Sequence, residues 1–198
     1  MTAIAATAPQ KKANKPKFPQ PKLLTFKDYE RLTPPDNGNF ELHNGKIIFM
    51  ASPLAKHQIV SGNLHAAIHS HIRQNKLGIV LTAPMDTILT PNDTVQPDLL
   101  FISNERLIII DRQVKGAPDF IIEILSDSNT PKEMSYKKYL YESTGVREYW
   151  VINIEKQIIT QYENVEDEFI RCSVAHINDT LISVVIEGLE LKVNDILS

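Results

Sequence analysis

The sequence predicts an α/β fold in which a mixed central sheet is flanked by helices and followed by a C-terminal antiparallel meander. Three observations lead there. Stretches with apolar residues at helical spacing alternate with short apolar runs. Two of those runs, around Leu99 and Ile122, are apolar on both faces, as strands covered by helices must be. After residue 156, strand-like runs follow one another with no helical stretch between them.

The elements follow in order. Thr25 caps a short helix over 26–32, which Pro34-Pro35 stop. NFELHNGKIIFMA is a hairpin, with apolar alternation on both sides of the turn pair Asn44-Gly45. Ser52-Pro53 opens a long helix, a cap residue followed by proline at the first helical position. Val60, Leu64, Ala67, Ile68 and Ile72 recur there at helical spacing, and Gly78 lies beyond the end. Strands are expected at 79–82, 87–89, 96–102 and 119–125. Thr130-Pro131-Lys132-Glu133 has the form of a capping box, opening a helix that runs to about Ser143 and stops at Gly145. A strand at 148–153 comes next, and 156–163, 168–175 and 181–185 form the meander.

At 198 residues and 42% apolar content the chain can bury a sizeable core. Residues 1–22 carry five lysines, four prolines and no acid, the composition of a disordered basic arm. Residues 23–198 are then expected to form one domain. The arm lacks the apolar stretch of a signal peptide, and no run approaches the ~20 apolar residues that span a bilayer. Cys172 is the only cysteine, which excludes an intramolecular disulfide and a cysteine zinc site and fits a reducing cytoplasm. The net charge is −3, so without the five arm lysines the remainder carries −8. That acidity argues against a strong, constitutive polyanion binder, and no basic stripe or recognition helix identifies bases.

Two strands contain a carboxylate where a buried strand should not. Asp98 precedes an apolar run, and Glu123 lies inside FIIEIL. An isolated ionised carboxylate there costs several kcal/mol, so each needs a partner or a cation. Meeting at adjacent strand ends, the two can share a hard divalent ion, Mg²⁺ or Mn²⁺. Glu41 is a third acid, pointing away from its apolar neighbours Phe40 and Leu42. Lys137, on the helix after the Glu123 strand, can orient an attacking water or offset phosphate charge, although Lys138 competes for that part. Each residue also has a structural reading: Asp98 as a turn residue beside Pro97, Glu123 in an ion pair, Glu41 and Lys137 in solvent. Four histidines, His57, His65, His69 and His71, share the long helix, but no cysteine or His-x-Glu-x-x-His pattern accompanies them as zinc ligands.

The stretches FELHNGKIIFMASPLAKHQIV, QPDLLFIS, APDFIIEILSDSN and KKYLYESTGVREYWVIN resemble the Uma-type restriction endonuclease family of the PD-(D/E)XK nuclease superfamily, over most of residues 25–155. The resemblance implies a restriction-endonuclease-like core with a metal site. It maps the motif's aspartate onto Asp98 and its second acid onto Glu123. Leu125 stands where the simplest motif has a lysine; the family's relocated lysine corresponds to Lys137, its early glutamate to Glu41, and its helix-opening histidine to His57. The expected function is hydrolysis of DNA phosphodiester bonds by an Mg²⁺- or Mn²⁺-dependent endonuclease. Asp98 and Glu123 would hold the ion, with Glu41 acting through water. A catalytically weak or inactive nuclease-fold module for binding or assembly is the alternative, motivated by the acidic charge and the displaced lysine. A homodimer is expected because the meander leaves edge strands to cover.

Overall fold

A computed structural model of the chain describes residues 22–33, 39–126 and 129–198. The basic arm expected over 1–22 lies outside them except for Lys22, as do Pro34-Pro35 and Asp127-Ser128 of the family-like stretch. Helix α1 (Phe26–Leu32) starts as expected, with Asp28 Oδ2 accepting from Thr25 N at 3.0 Å. Strands β1 (Phe40–His43) and β2 (Lys46–Phe49) form the hairpin. Asn44 and Gly45 both take positive φ, 46° and 69°, as its two-residue turn demands.

Helix α2 (Ala55–Asn75) begins two residues later than Ser52-Pro53 predicts, with Leu54 at its N-cap. Met50 N still donates to Asn39 O at 2.7 Å, so the chain is only then leaving the hairpin. Strands β3 (Gly78–Thr82) and β4 (Thr87–Thr90) match expectation, and β5 (Asp93–Val95) was not foreseen. The strand expected over 96–102 starts later, as β6 (Leu99–Ser103). Pro97 has no N–H for a ladder, and the chain crosses between sheets at Gln96-Pro97-Asp98. A 3-10 turn (Asn104–Ile109) and short β7 (Val114–Lys115) lead to β8 (Phe120–Leu125). Helix α3 (Pro131–Thr144) is capped by Thr130, whose side chain accepts from Glu133 N, and ends at Gly145 in the left-handed region. The Glu133 carboxylate accepts instead from Asn129 Nδ2. The chain ends with β9 (Glu148–Asn153), β10 (Ile158–Val165), β11 (Glu168–Ala175), β12 (Thr180–Ile182), β13 (Glu190–Lys192) and α4 (Val193–Leu197).

The large sheet has the order β11-β10-β9-β8-β6-β3, with β8 and β9 parallel and the other pairs antiparallel. The mixed α/β reading therefore stands. A smaller sheet, β2-β1-β5-β4-β7, lies beside it. Apolar residues sort by parity. Leu99, Phe101, Phe120, Ile122 and Trp150 pack with Val60, Leu64, Ile68 and Ile72 of α2. Leu100, Ile102, Ile121 and Tyr149 face the opposite way, onto Leu140 and Tyr141 of α3 and onto Val95 and Val114 of the small sheet. The large sheet is thus covered on both faces, as its continuous apolar strands require.

The antiparallel meander is β9-β10-β11, and the run expected at 181–185 leaves it to pair with β13. Glu148 supplies the reason. Its buried carboxylate accepts from Trp150 Nε1 (2.7 Å), Ser183 Oγ (2.5 Å), Val184 N (3.1 Å) and Val185 N (3.0 Å), fixing the C-terminal segment against β9. Burial pushes the Glu148 carboxyl up, and these four donors hold it back. Replacing it leaves buried donors unpaired, at ~1–3 kcal/mol each before relaxation. Glu148→Ala should therefore lower Tm by roughly 10 °C in a thermal melt. A drop of only a degree or two would contradict this account.

Candidate active site

The crossing at Gln96-Pro97-Asp98 brings the two sheets together around a small group of charges. The pairing of Leu99 with Ile122 continues one step to set Asp98 opposite Glu123 on the neighbouring strand. The two share the parity that faces α3. Asp98 Oδ2 accepts from Ile124 N at 2.7 Å. Glu41 arrives from β1 of the small sheet, almost fully buried at 1% exposure, and not in solvent as a lone strand acid would be. Its Oε1 accepts from Gln96 N at 2.7 Å, the first residue of the crossing.

Lys137 joins them. Its Nζ donates to Glu41 Oε1 at 3.0 Å and to Glu123 Oε1 at 3.1 Å. Lys138, its neighbour, instead lies over the Tyr162 ring at 4.6 Å, which settles which lysine meets the carboxylates. One helical turn after Lys137, Tyr141 OH donates to the same Glu123 oxygen at 2.5 Å. Glu123 Oε2 and Asp98 Oδ1 accept no hydrogen bond among the described residues. Both residues line a cavity of about 170 Å³, together with Glu41, Lys137, His57 and Gln96.

The electrostatics of the acids differ. Burial pushes Glu123 up to about 7; Lys137 opposes this, while Asp98 and Glu41 add to it. Burial acts the same way on Glu41, but Lys137, His43 and Gln96 N overcome it and hold that carboxyl well below the usual range. Burial alone would strip Lys137 of its proton; the two carboxylates outweigh it and raise the ammonium.

His57, in the first turn of α2, sits where expected. Its Nε2 lies 3.1 Å from Ile124 O and 3.3 Å from Asp98 Oδ2. Facing two acceptors, this nitrogen carries a hydrogen, and Nδ1 is buried without a partner. The Asp98 contact outweighs burial and raises the imidazole. The other helix histidines lie elsewhere: His65 and His69 stack on each other at 5.3 Å, and His71 reaches Glu187 O.

Sequence reasoning missed Tyr141, Gln96 and His43, whose Nε2 lies 2.6 Å from Glu41 Oε2. Tyr141 was accessible from its four-residue spacing to Lys137. His43 was accessible from its alternation with Glu41 along β1. Behind His43, the Tyr136 ring lies tilted at 5.0 Å between centroids, and its hydroxyl donates to Asp93.

Among the described residues, no group of three or more His, Cys, Asp or Glu side chains is placed to hold a metal ion together. The donor chemistry nonetheless fits Mg²⁺ or Mn²⁺. Mg²⁺ keeps several waters and takes one or two protein carboxylates plus substrate phosphate, and Asp98 and Glu123 each offer one uncommitted oxygen. Both oxygens of Glu41 are engaged already.

The sequence matches the family Uma2, described as "Putative restriction endonuclease", over residues 26–194. Among solved structures it is similar to a crystal structure of "a putative nuclease belonging to DUF820" from Anabaena variabilis ATCC 29413. That pair shares 19% identity and a TM-score of 0.74, covering 88% of this chain and 97% of the other. The likeness shows that the two share a fold. No curated protein matches the sequence.

The raised Glu123 makes a stability prediction. Its folded value near 7 lies above the ordinary glutamate value of about 4.5, so the stability carried by its proton is present below about 4.5 and lost as pH rises through 7. Glu123→Gln keeps the shape of the protonated acid. It should melt with the parent at pH 5 and several degrees above it at pH 8. Equal melting temperatures at both pH values would refute the raised value.

Proposed function

The chain belongs to the Uma2 family, and from that premise we propose that it is a divalent-metal-dependent endonuclease hydrolysing DNA phosphodiester bonds. One observation carries the reading: Asp98 and Glu123 stand opposite each other on neighbouring strands, each with a free oxygen, beside a buried ammonium that already bridges two acids. An ion pair alone would need only one of those carboxylates.

Asp98 Oδ1 and Glu123 Oε2 would hold Mg²⁺ or Mn²⁺, with Glu41 contributing through water. The bound ion supplies Lewis-acid stabilisation of the scissile phosphate and acidifies water. The protein's own groups do the rest. Tyr141 and Lys137 fix Glu123 Oε1, so that its other oxygen faces the cavity. Glu41 holds Lys137 from the far side. The ammonium then orients the attacking water and offsets charge that builds on the phosphate. His57 restrains Asp98 and presents a polar ring to the cavity.

Two copies acting together would reach both strands of a duplex. In support, β11 is an edge of the large sheet, with Ile170 and Val174 exposed along it. No helix among the described residues is long and apolar enough to cross a membrane.

The parent should nick supercoiled plasmid in Mg²⁺ or Mn²⁺ but not in EDTA, and calorimetry should show it binding Mn²⁺. Asp98→Ala should lose both metal binding and nicking, by at least 100-fold in rate, while staying folded with a Tm a few degrees lower, because Ile124 N loses its acceptor. Nicking by Asp98→Ala at the parental rate sinks the mechanism. Mn²⁺ binding by a parent that never nicks favours a non-catalytic binding module. On gel filtration at micromolar concentration the protein should elute as a dimer, and a monomer there removes the paired arrangement.

A further inference from the structure

The acids of this chain are unevenly placed. Residues 42–85 contain no Asp or Glu, whereas 24 acids in 198 residues would put about five in a stretch of that length. The same stretch carries Lys46, Lys56, Arg73 and Lys76 and five of the chain's six histidines. It folds into β2, α2 and β3, and it supplies Met50, Pro53, His57, Gln58 and Ala83 to the wall of the candidate active site. An acid-free layer thus borders the cavity of an acidic protein.

Helix α2 extends that layer away from the site. Its inward residues Val60, Leu64, Ile68 and Ile72 are buried, while Gln58, Gly62, Ala66, His69 and Arg73 are exposed along the opposite face. At ~1.5 Å per residue, Arg73 lies ~24 Å from His57 along the axis. There the helix end and the edge strand β3 form a second cavity of about 360 Å³, lined by His69, Arg73, Lys76 and Asn104. Arg73 and Lys76 have no carboxylate partner among the described residues. At the near end, Lys56 does have one, Glu155 at 3.5 Å. Cations in a last helical turn complement the helix dipole. That accounts for Arg73 and Lys76 locally, but not for 44 residues without an acid.

We propose that the outer face of α2, ending in the Arg73–Lys76 groove beside β3, is the surface along which duplex DNA lies when it enters the active site. The inference rests on the nuclease reading and adds where the substrate runs. At ~3.4 Å per base pair, Arg73 and Lys76 meet phosphates ~7 base pairs from the scissile bond. Elsewhere the acidic surface repels the polyanion, so this face sets the direction of approach as well as part of the affinity. This face is marked by missing acids more than by clustered lysines, in keeping with the reading that no basic stripe stands out in the sequence.

The test is fluorescence anisotropy of a duplex of about 25 base pairs, with Ca²⁺ in place of Mg²⁺, across a salt series. Arg73→Gln/Lys76→Gln should bind on the order of 10-fold more weakly at about 150 mM salt, with the log–log salt slope smaller by about 2. Its Tm and its calorimetric Mn²⁺ affinity should match the parent, since both side chains are exposed and far from the carboxylates. Arg112→Gln/Lys115→Gln makes the same change in net charge on another exposed segment, and should change affinity by less than about 2-fold. If the α2 variant binds like the parent, or the control loses as much, this surface is not the duplex track. If the parent nicks plasmid while either result holds, only this inference falls. A parent that neither binds nor nicks DNA removes the nuclease reading and the track together.

Discussion

One ammonium group organises this protein. Lys137 Nζ lies between Glu41 of the small sheet and Glu123 of the large one, within 3.1 Å of both. Desolvating a lone charge costs several kcal/mol, so the lysine and the ionised Glu41 are tolerable there only together. The two sheets and α3 must dock in one relative position for the three charges to meet. The apolar packing around them, Leu140 and Tyr141 against Ile121 and Tyr149, would tolerate small shifts that the charges do not. In this respect the charged cluster acts as a register between the layers, while the hydrophobic core supplies the driving force.

The same geometry gives two similar carboxylates different properties. Glu41 is surrounded by donors on both oxygens, from Gln96 N, Lys137 and His43, and stays ionised. Glu123 receives Lys137 and Tyr141 on a single oxygen, and its burial, helped by Asp98 across the strand pair, makes it hold its proton more readily. Under the proposed reading, the free oxygen of Glu123 is the one that would meet a cation in place of a proton. The Tyr136, His43 and Asp93 contacts behind Glu41 extend this order away from the cavity.

Charge at longer range complements this local order. The cavity contains more negative than positive groups before any ion binds, and its single lysine is already paired. Under the proposed nuclease reading, attraction of a phosphate would then come from a bound cation and from surfaces outside the cavity, such as the proposed α2 face.

Much of this was legible in the sequence. Glu123 stood out because apolar neighbours on both sides made solvent exposure improbable, Asp98 because it opens a strand apolar on both faces, and turn and capping residues placed the hairpin and α3. Those signals are local: periodicity, turn chemistry and the cost of a buried charge are set by residues a few positions apart. The burial of Glu41, the choice of Lys137 over Lys138, and the departure of 181–185 from the meander were not legible. Each depends on a contact between residues tens of positions apart, such as Glu41 with Lys137 or Glu148 with Val184. The sequence by itself determined which residue types had to find partners. Only the tertiary structure decided which partners they found, because the crossing at Gln96-Pro97-Asp98 sets how the two sheets meet, and no local pattern encodes that angle.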